Sequence, residues 1–176
     1  MTGASLAVAS WTGTQSRPGG QMGSDHSRSR FVVRAVTDRD EARHHEVRRR
    51  VFVEEQSVTE TEEWDGRDEL ATTLRAVGVL DGVVVAAGRL LDLGSEHVHV
   101  GRVSVLAEHR GTGLGRELMI GLERLALEHS PGQVTLVLDA QEYAQGFYES
   151  LGYSRTPRDR FLDARIWHVE MAKLAG

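Results

Sequence analysis

The segment Arg110-Gly111-Thr112-Gly113-Leu114-Gly115-Arg116 constrains this chain more than any other. An apolar, alternating stretch from Val98 to Leu106 precedes it, and an amphipathic helical pattern from Leu114 to Leu127 follows. Strand, glycine-rich turn and helix in that order expose the unsatisfied amides of a helix's first turn beside a backbone that a ligand can approach closely. The helix dipole, Arg110 and Arg116 add positive potential, so the segment reads as a pocket for a phosphorylated ligand. Spacing excludes two common forms. A Walker loop needs Lys and then Ser or Thr after its second glycine, and no such string occurs. The dinucleotide fingerprint lacks its third glycine: counted from Gly111 that place holds Arg116, and from Gly113 it holds Leu118. What remains is Arg-x-x-Gly-x-Gly, met by Arg110, Gly113 and Gly115. On this string alone, a turn that merely caps a helix is the competing reading.

Composition bounds the answer. The 176 residues, 40% of them hydrophobic, suffice for one substantial core. A net charge of −5 gives no footing for nucleic acid and suits a cationic partner. The absence of cysteine excludes a disulfide framework, a thiolate metal site and a covalent Cys intermediate. Residues 1–30 are rich in Gly, Ser, Thr, Gln and Arg without apolar period and read as a disordered tail. Leu6-Ala7-Val8-Ala9 is too short, and lacks the basic segment before it, for a signal peptide; Met22 is an alternative start. No run is long enough to span a membrane, which makes a cytoplasmic protein the default.

Residues 31–174 read as one domain. Phe31 to Val36 forms a strand, and Thr37 or Asp38 caps a helix running through Val47, Val51 and Phe52. A polar, acidic connection spans Glu54 to Glu69. Strands Thr72–Leu80 and Val83–Leu91 flank Asp81-Gly82, a two-residue hairpin turn. The strand His97–Leu106 enters the glycine turn and the long helix, Pro131-Gly132 ends it, and Gln133–Asp139 is a further strand. A short helix around Tyr148 precedes a final hairpin, Gly152–Arg155 with Ala164–Lys173. This order gives an α/β fold: a mixed, mainly antiparallel central sheet with helices on both faces.

Further along, Gln141-Glu142-Tyr143-Ala144-Gln145-Gly146-Phe147-Tyr148-Glu149-Ser150-Leu151-Gly152-Tyr153 resembles the second hallmark of the GNAT N-acetyltransferase superfamily, Asn-x-x-Ala-x-x-Phe-Tyr-x-x-x-Gly-Phe, whose pyrophosphate loop the Arg110 segment also resembles. Gln141 stands for the Asn and Tyr153 for the final Phe. Val47 to Gln56, Asp65-Gly66-Arg67-Asp68, Gly101 to Val105 and Ile166 to Met171 are similar to the ElaA-like subfamily. Acyl-homoserine-lactone synthases share the Arg and Val-Phe opening and form a minor alternative.

The resemblance implies the three-layer acyl-CoA N-acyltransferase fold and transfer of an acetyl group from acetyl-CoA directly to a primary amine of a small molecule or peptide. By the same resemblance, Val103, Ser104 and Val105 line the pantetheine arm. Arg110, Gly111, Thr112, Gly113, Leu114, Gly115 and Arg116 hold the pyrophosphate, and Gln141 reaches the thioester region. Tyr148 is the acid for the leaving thiolate. His99 falls where some relatives carry a catalytic glutamate, although His97 and His99 alternate with Val98 and Val100 as an exposed strand face also would. Glu54, Glu55, Asp65 and Asp68 are further candidates at the acceptor rim, of which Glu54, Glu55 and Asp65 are taken as substrate residues. Arg48, Arg89 and Arg102 suit buried ion pairs with these acids. No metal is expected: His44 and His45 are adjacent, and His97 and His99 lack a third ligand. A catalytically inactive acyl-CoA sensor is the rival class, and an exposed edge strand makes a homodimer a candidate assembly.

Overall fold

The computed structural model describes residues 30–176, so the reading of residues 1–30 as a disordered tail lies, apart from Arg30, outside the described residues. Strands β1 (Phe31–Ala35), β2 (Leu74–Leu80), β3 (Val83–Leu91), β4 (His97–Val105), β5 (Val134–Gln141), β6 (Ser154–Arg155), β7 (Phe161–Asp163) and β8 (Ile166–Ala175) form a single sheet. Its order is β1-β2-β3-β4-β5-β8-β6, with β7 also on β8. Every pairing is antiparallel except β4 with β5. This is the mixed sheet expected from the sequence.

Helices cover both faces. Helix α3 (Leu114–Glu128) buries Leu118, Met119, Leu122, Leu125 and Ala126 against Val98, Val100, Leu136 and Leu138. On the opposite face, α1 (Glu41–Arg48) and the π-helical turn that continues it, Arg49–Glu55, bury Val47, Val51 and Phe52 against Val77, Val85 and Ala87. Strand β3 therefore packs on both sides, which explains its apolar run, broken only by Arg89. The helix begins later than its expected cap. Asp40, not Thr37 or Asp38, is the N-cap, and its carboxylate accepts from the Thr37 amide (2.9 Å), the Thr37 hydroxyl (2.6 Å) and the Arg34 guanidinium (2.5 Å).

Asp81 and Gly82 turn the β2–β3 hairpin with φ of 48° and 88°, the two positive values that a type I′ turn demands. The C-terminal hairpin differs from expectation. The immediate partner of β8 is β7, joined through Ala164 and Arg165 at φ 43° and 67°. Strand β6 pairs farther along β8, Ser154 opposite Ala172. The acidic connection is not irregular throughout: it contains α2 (Glu60–Glu63), started by a reciprocal Thr59–Glu62 capping box, and one 3₁₀ turn, Arg67–Glu69.

Two irregularities shape the middle of the sheet. Arg89 pairs with Gly101 but Ala87 with Ser104, so Arg102 and Val103 together oppose Gly88. Arg102 takes φ 51° in this bulge, which bends β4. Pairing of β4 with β5 extends only over His97–His99 and Thr135–Val137. Beyond that the two parallel strands separate into a wedge.

Close packing of α3 on β1 rests on Gly121. A Cβ there would lie 2.3 Å from Val33 Cβ, a branched atom fixed to its backbone. Alanine in place of a mid-helix glycine ordinarily gains up to ~1 kcal/mol, whereas overpacking costs about 1–3 kcal/mol. Gly121→Ala should therefore lower the urea midpoint of the protein; a raised midpoint would refute this packing.

Candidate active site

Strand alternation decides what lines the wedge. Val98, Val100, Val103 and Val105 of β4, and Leu136, Leu138 and Ala140 of β5, join the core under α3. The intervening residues, on the α1 face, are mostly polar: His99, Arg102 and Ser104 on β4, and Asp139 and Gln141 on β5, with Gly101 and Val137 the exceptions. Glu170 and His168 stand opposite the last two on β8. A polar floor where two strands part leaves backbone groups that need partners other than each other.

The wide end of the wedge meets the glycine turn. Gly111 and Gly113 hold φ of 75° and 92°, and the first helical bond is Arg116 N–H to Gly113 O at 3.0 Å, so the preceding amides have no helical acceptor. Thr112 Oγ1 donates to His109 O at 2.7 Å, tightening the loop. Leu114 begins α3, and Gly115 lies against the Phe147 ring. Arg110 folds back: its Nε donates to Val105 O (2.8 Å), Nη1 pairs with Glu55 (2.7 Å), and buried Nη2 has no partner among the described residues. Arg116 is exposed and reaches Ser150 O at 3.3 Å.

Helix α4 (Gln145–Glu149) carries Tyr148, which is buried between the Phe147 and Tyr153 rings at centroid distances of 5.1 and 5.8 Å. Burial pushes the Tyr148 phenol well above its usual range, so it holds its proton at neutral pH. Gln141 is fully covered and donates its amide to Gln56 Oε1 at 3.2 Å.

Beneath the α1 face lies a buried ionic network. Arg48 meets Glu63 (2.5 Å) and Asp68 (2.5 Å); Arg89 grips both oxygens of Asp65 (2.8 Å each) and touches Asp68 (3.1 Å). Arg102 pairs with Glu63 (2.7 Å) and Asp65 (3.3 Å) and donates to the Glu62 and Glu63 carbonyls. Trp64 covers Arg48, whose guanidinium lies 4.6 Å from the ring centroid. The opposing forces leave a mixed pattern. Burial pushes Glu63 up against the pull of Arg48 and Arg102, and brings Arg102 down to about 10. For Asp65, desolvation is the largest influence and acts upward, but hydrogen bonds and charge from Arg89, with help from Arg102, overcome it and hold the carboxyl at about 2.

The expected acids thus have different settings. Asp65 and Asp68 belong to this network, Glu55 secures Arg110, and Glu54 is exposed and paired with Arg49 at 2.5 Å. His99 stands at the point where the wedge opens, and its Nδ1 is 3.1 Å from Asp92 Oδ2. Asp92 was not legible as a partner of His99, because the contact crosses the β3–β4 turn. Asp139 is pushed up by burial, with Arg158 3.8 Å away and also bonded to Glu170. Adjacency did not separate His44 from His45: with Glu41, they bring ligand-type atoms within 4.8 Å of one another, although Arg75 takes both Glu41 oxygens at 2.7 Å.

Comparison with known proteins agrees with this geometry. Residues 39–175 match the family model described as an acetyltransferase (GNAT) domain. YjcF of Bacillus subtilis, an uncharacterized N-acetyltransferase, is 38% identical over 128 residues, covering 72% of this chain and 87% of that protein. Among solved structures, an acyl-CoA N-acyltransferase from Pseudomonas aeruginosa superposes with a TM-score of 0.71 at 27% identity, covering 82% of this chain and 99% of the other. Escherichia coli ElaA gives 0.69 at 26% identity, with the same coverage. The chain belongs to the GNAT acetyltransferase family.

The network has a pH signature. The Asp65 carboxyl ionises near 2 when folded against 3.8 for the free group, so the folded state binds fewer protons and the stabilisation is complete above pH ~4. It is lost as pH falls through 2, by about 2 kcal/mol at 1.36 kcal/mol per unit. Denaturant titrations between pH 5 and 2 should show this loss, and Asp65→Asn should shrink it while lowering stability at pH 7.

Proposed function

We propose that the protein transfers an acetyl group from acetyl-CoA directly to a primary amine of a small molecule or peptide. The observation that carries this reading is the wedge between β4 and β5, opening onto the glycine turn and flanked by a protonated buried phenol. The residues fit the co-substrate. The amides of Thr112 to Gly115, the partnerless Arg110 Nη2 and exposed Arg116 suit a pyrophosphate. The backbone of Val103 to Val105, no longer paired by β5, suits an extended pantetheine arm laid in like a strand. Gln141 faces the same wedge from β5.

The chemistry follows from what each group can do with a proton. An ammonium cannot attack a thioester, so His99, at the solvent-open start of the wedge, is the base that prepares the amine. A β4 amide, that of Val105 in this reading, polarises the thioester carbonyl. Tyr148 donates to the departing sulfur, a role that its raised pKa favours by keeping the phenol protonated. Glu54 and Glu55 shape the acceptor side, and Asp65 acts through the arginines that it fixes. An acyl-CoA sensor would need the glycine turn but not the phenol.

Acetyl-CoA-dependent release of free CoA thiol across a panel of amines tests the reading. At least one amine should raise release above the amine-free control. CoA binding without release under any amine would favour the sensor. Tyr148→Phe should lower kcat by ~10²-fold or more, the usual span for a proton donor, with acetyl-CoA affinity nearly intact. An unchanged rate across pH would remove Tyr148 from the mechanism.

A further inference from the structure

We propose that Asp92 is the positioning residue for His99, orienting it as the base that takes the acceptor's proton. The inference rests on the acetyl-transfer reading above. Asp92 ends the β3 side of the β3–β4 connection at φ 60°, a left-handed conformation uncommon for a residue with a Cβ. It directly follows Leu91, the residue paired with His99 across the two strands. That geometry puts its carboxylate 3.1 Å from His99 Nδ1. A carboxylate only accepts, so the neutral imidazole must carry its proton on Nδ1, which leaves the lone pair on Nε2. Nε2 makes no hydrogen bond among the described residues, and the His99 side chain is 47% exposed. The nitrogen that must take a proton is therefore available to an incoming amine or to a bridging water.

The charges facing His99 favour the same step. Asp92 from the β3–β4 connection, Asp139 from β5 and Glu170 from β8 are negative. Arg67 is 3.9 Å from the Asp92 carboxylate, and Arg158 balances the Asp139–Glu170 pair; His97 and His168 are the nearby imidazoles on β4 and β8. An imidazolium formed at His99 has a fixed counter-ion in Asp92, as an orienting carboxylate supplies in other His-based sites. The steps balance. His99 Nε2 takes one proton from the ammonium, leaving the electron pair on nitrogen. That pair forms the C–N bond as the carbonyl π pair moves to oxygen. Collapse restores the carbonyl and breaks C–S, sulfur leaving with the pair and taking the Tyr148 proton. The second amine proton, lost from the intermediate, restores the phenol through water, and His99 releases its proton to solvent.

Two readouts test the pairing. The first is imidazole ¹⁵N NMR of the whole protein, which needs no acceptor. His99 should be protonated on Nδ1, and Asp92→Asn should lose that tautomer preference. The second is turnover with the best amine. His99→Gln should lower kcat by ~10²-fold or more, and Asp92→Asn by about tenfold. KM for acetyl-CoA should be unchanged in both, and Asp92→Glu should recover part of the rate. An Nε2-protonated His99 in the parent protein, or Asp92→Asn with the parental tautomer and rate, overturns the proposal. Loss in His99→Gln but not in Asp92→Asn would reject the pairing and keep the base. Parent protein without turnover would reject acetyl transfer, while the NMR still decides the Asp92 contact.

Discussion

The wedge depends on the bulge in β4, and the bulge depends on Arg102. A residue with φ 51° in mid-strand is strained, and its side chain carries a charge into a region with almost no solvent access. Glu63 and Asp65, with the Glu62 and Glu63 carbonyls, make that placement tolerable. Buried ion pairs of this kind contribute little net stability compared with apolar packing, because desolvation offsets most of the attraction. Apolar side chains, however, have no directional bonds. The three arginines tie α1, β3 and β4 to the α2 segment at defined points, so β4 bends away from β5 in one geometry. Losing one partner would strand the others, which makes the network costly to break even though it is not a large source of stability.

In the proposed reaction, the two sides of the wedge have opposite protonation tasks. Tyr148 is enclosed by aromatic rings, where desolvation keeps the phenol neutral and ready to donate. His99 sits half in solvent against a carboxylate, with a bare nitrogen that can accept. The donor for sulfur and the acceptor for nitrogen that the proposal requires would thus arise from environment rather than from residue type alone. The glycine turn contributes little side-chain chemistry of its own. Arg110 braces the end of β4 against Glu55 through Nε and Nη1, so in the proposed complex the backbone amides would supply most of the anion binding, beside Arg110 Nη2 and Arg116.

The features legible in the sequence were those written locally. The glycine turn, the α3 stripe and Asp81-Gly82 each encode their conformation within a few residues, and the mixed sheet followed from their order. Strand β7 escaped because its turn uses Ala164 and Arg165 at positive φ, where glycine or asparagine would have marked it. The π-helical turn was equally hidden, since Val47, Val51 and Phe52 suit an ordinary helix as well. At the site, Tyr148, His99 and the turn could be singled out from pattern and resemblance. Asp92 and the pairing of each buried arginine could not, because tertiary contacts between distant segments create them. Ion pairing of the acids near residue 65 with Arg48, Arg89 and Arg102 was legible, but which arginine holds which acid became visible only once β3 and β4 were in register.

The central claim is that the wedge and the glycine turn together receive the acyl-CoA. Amide hydrogen exchange of the protein with and without CoA, resolved to single residues, tests it most directly. Protection should rise at Val103, Val105 and Thr112 to Gly115 and remain unchanged on the β1–β2 edge. Saturating CoA that leaves those amides exchanging as in the free protein, with protection elsewhere, would contradict the account.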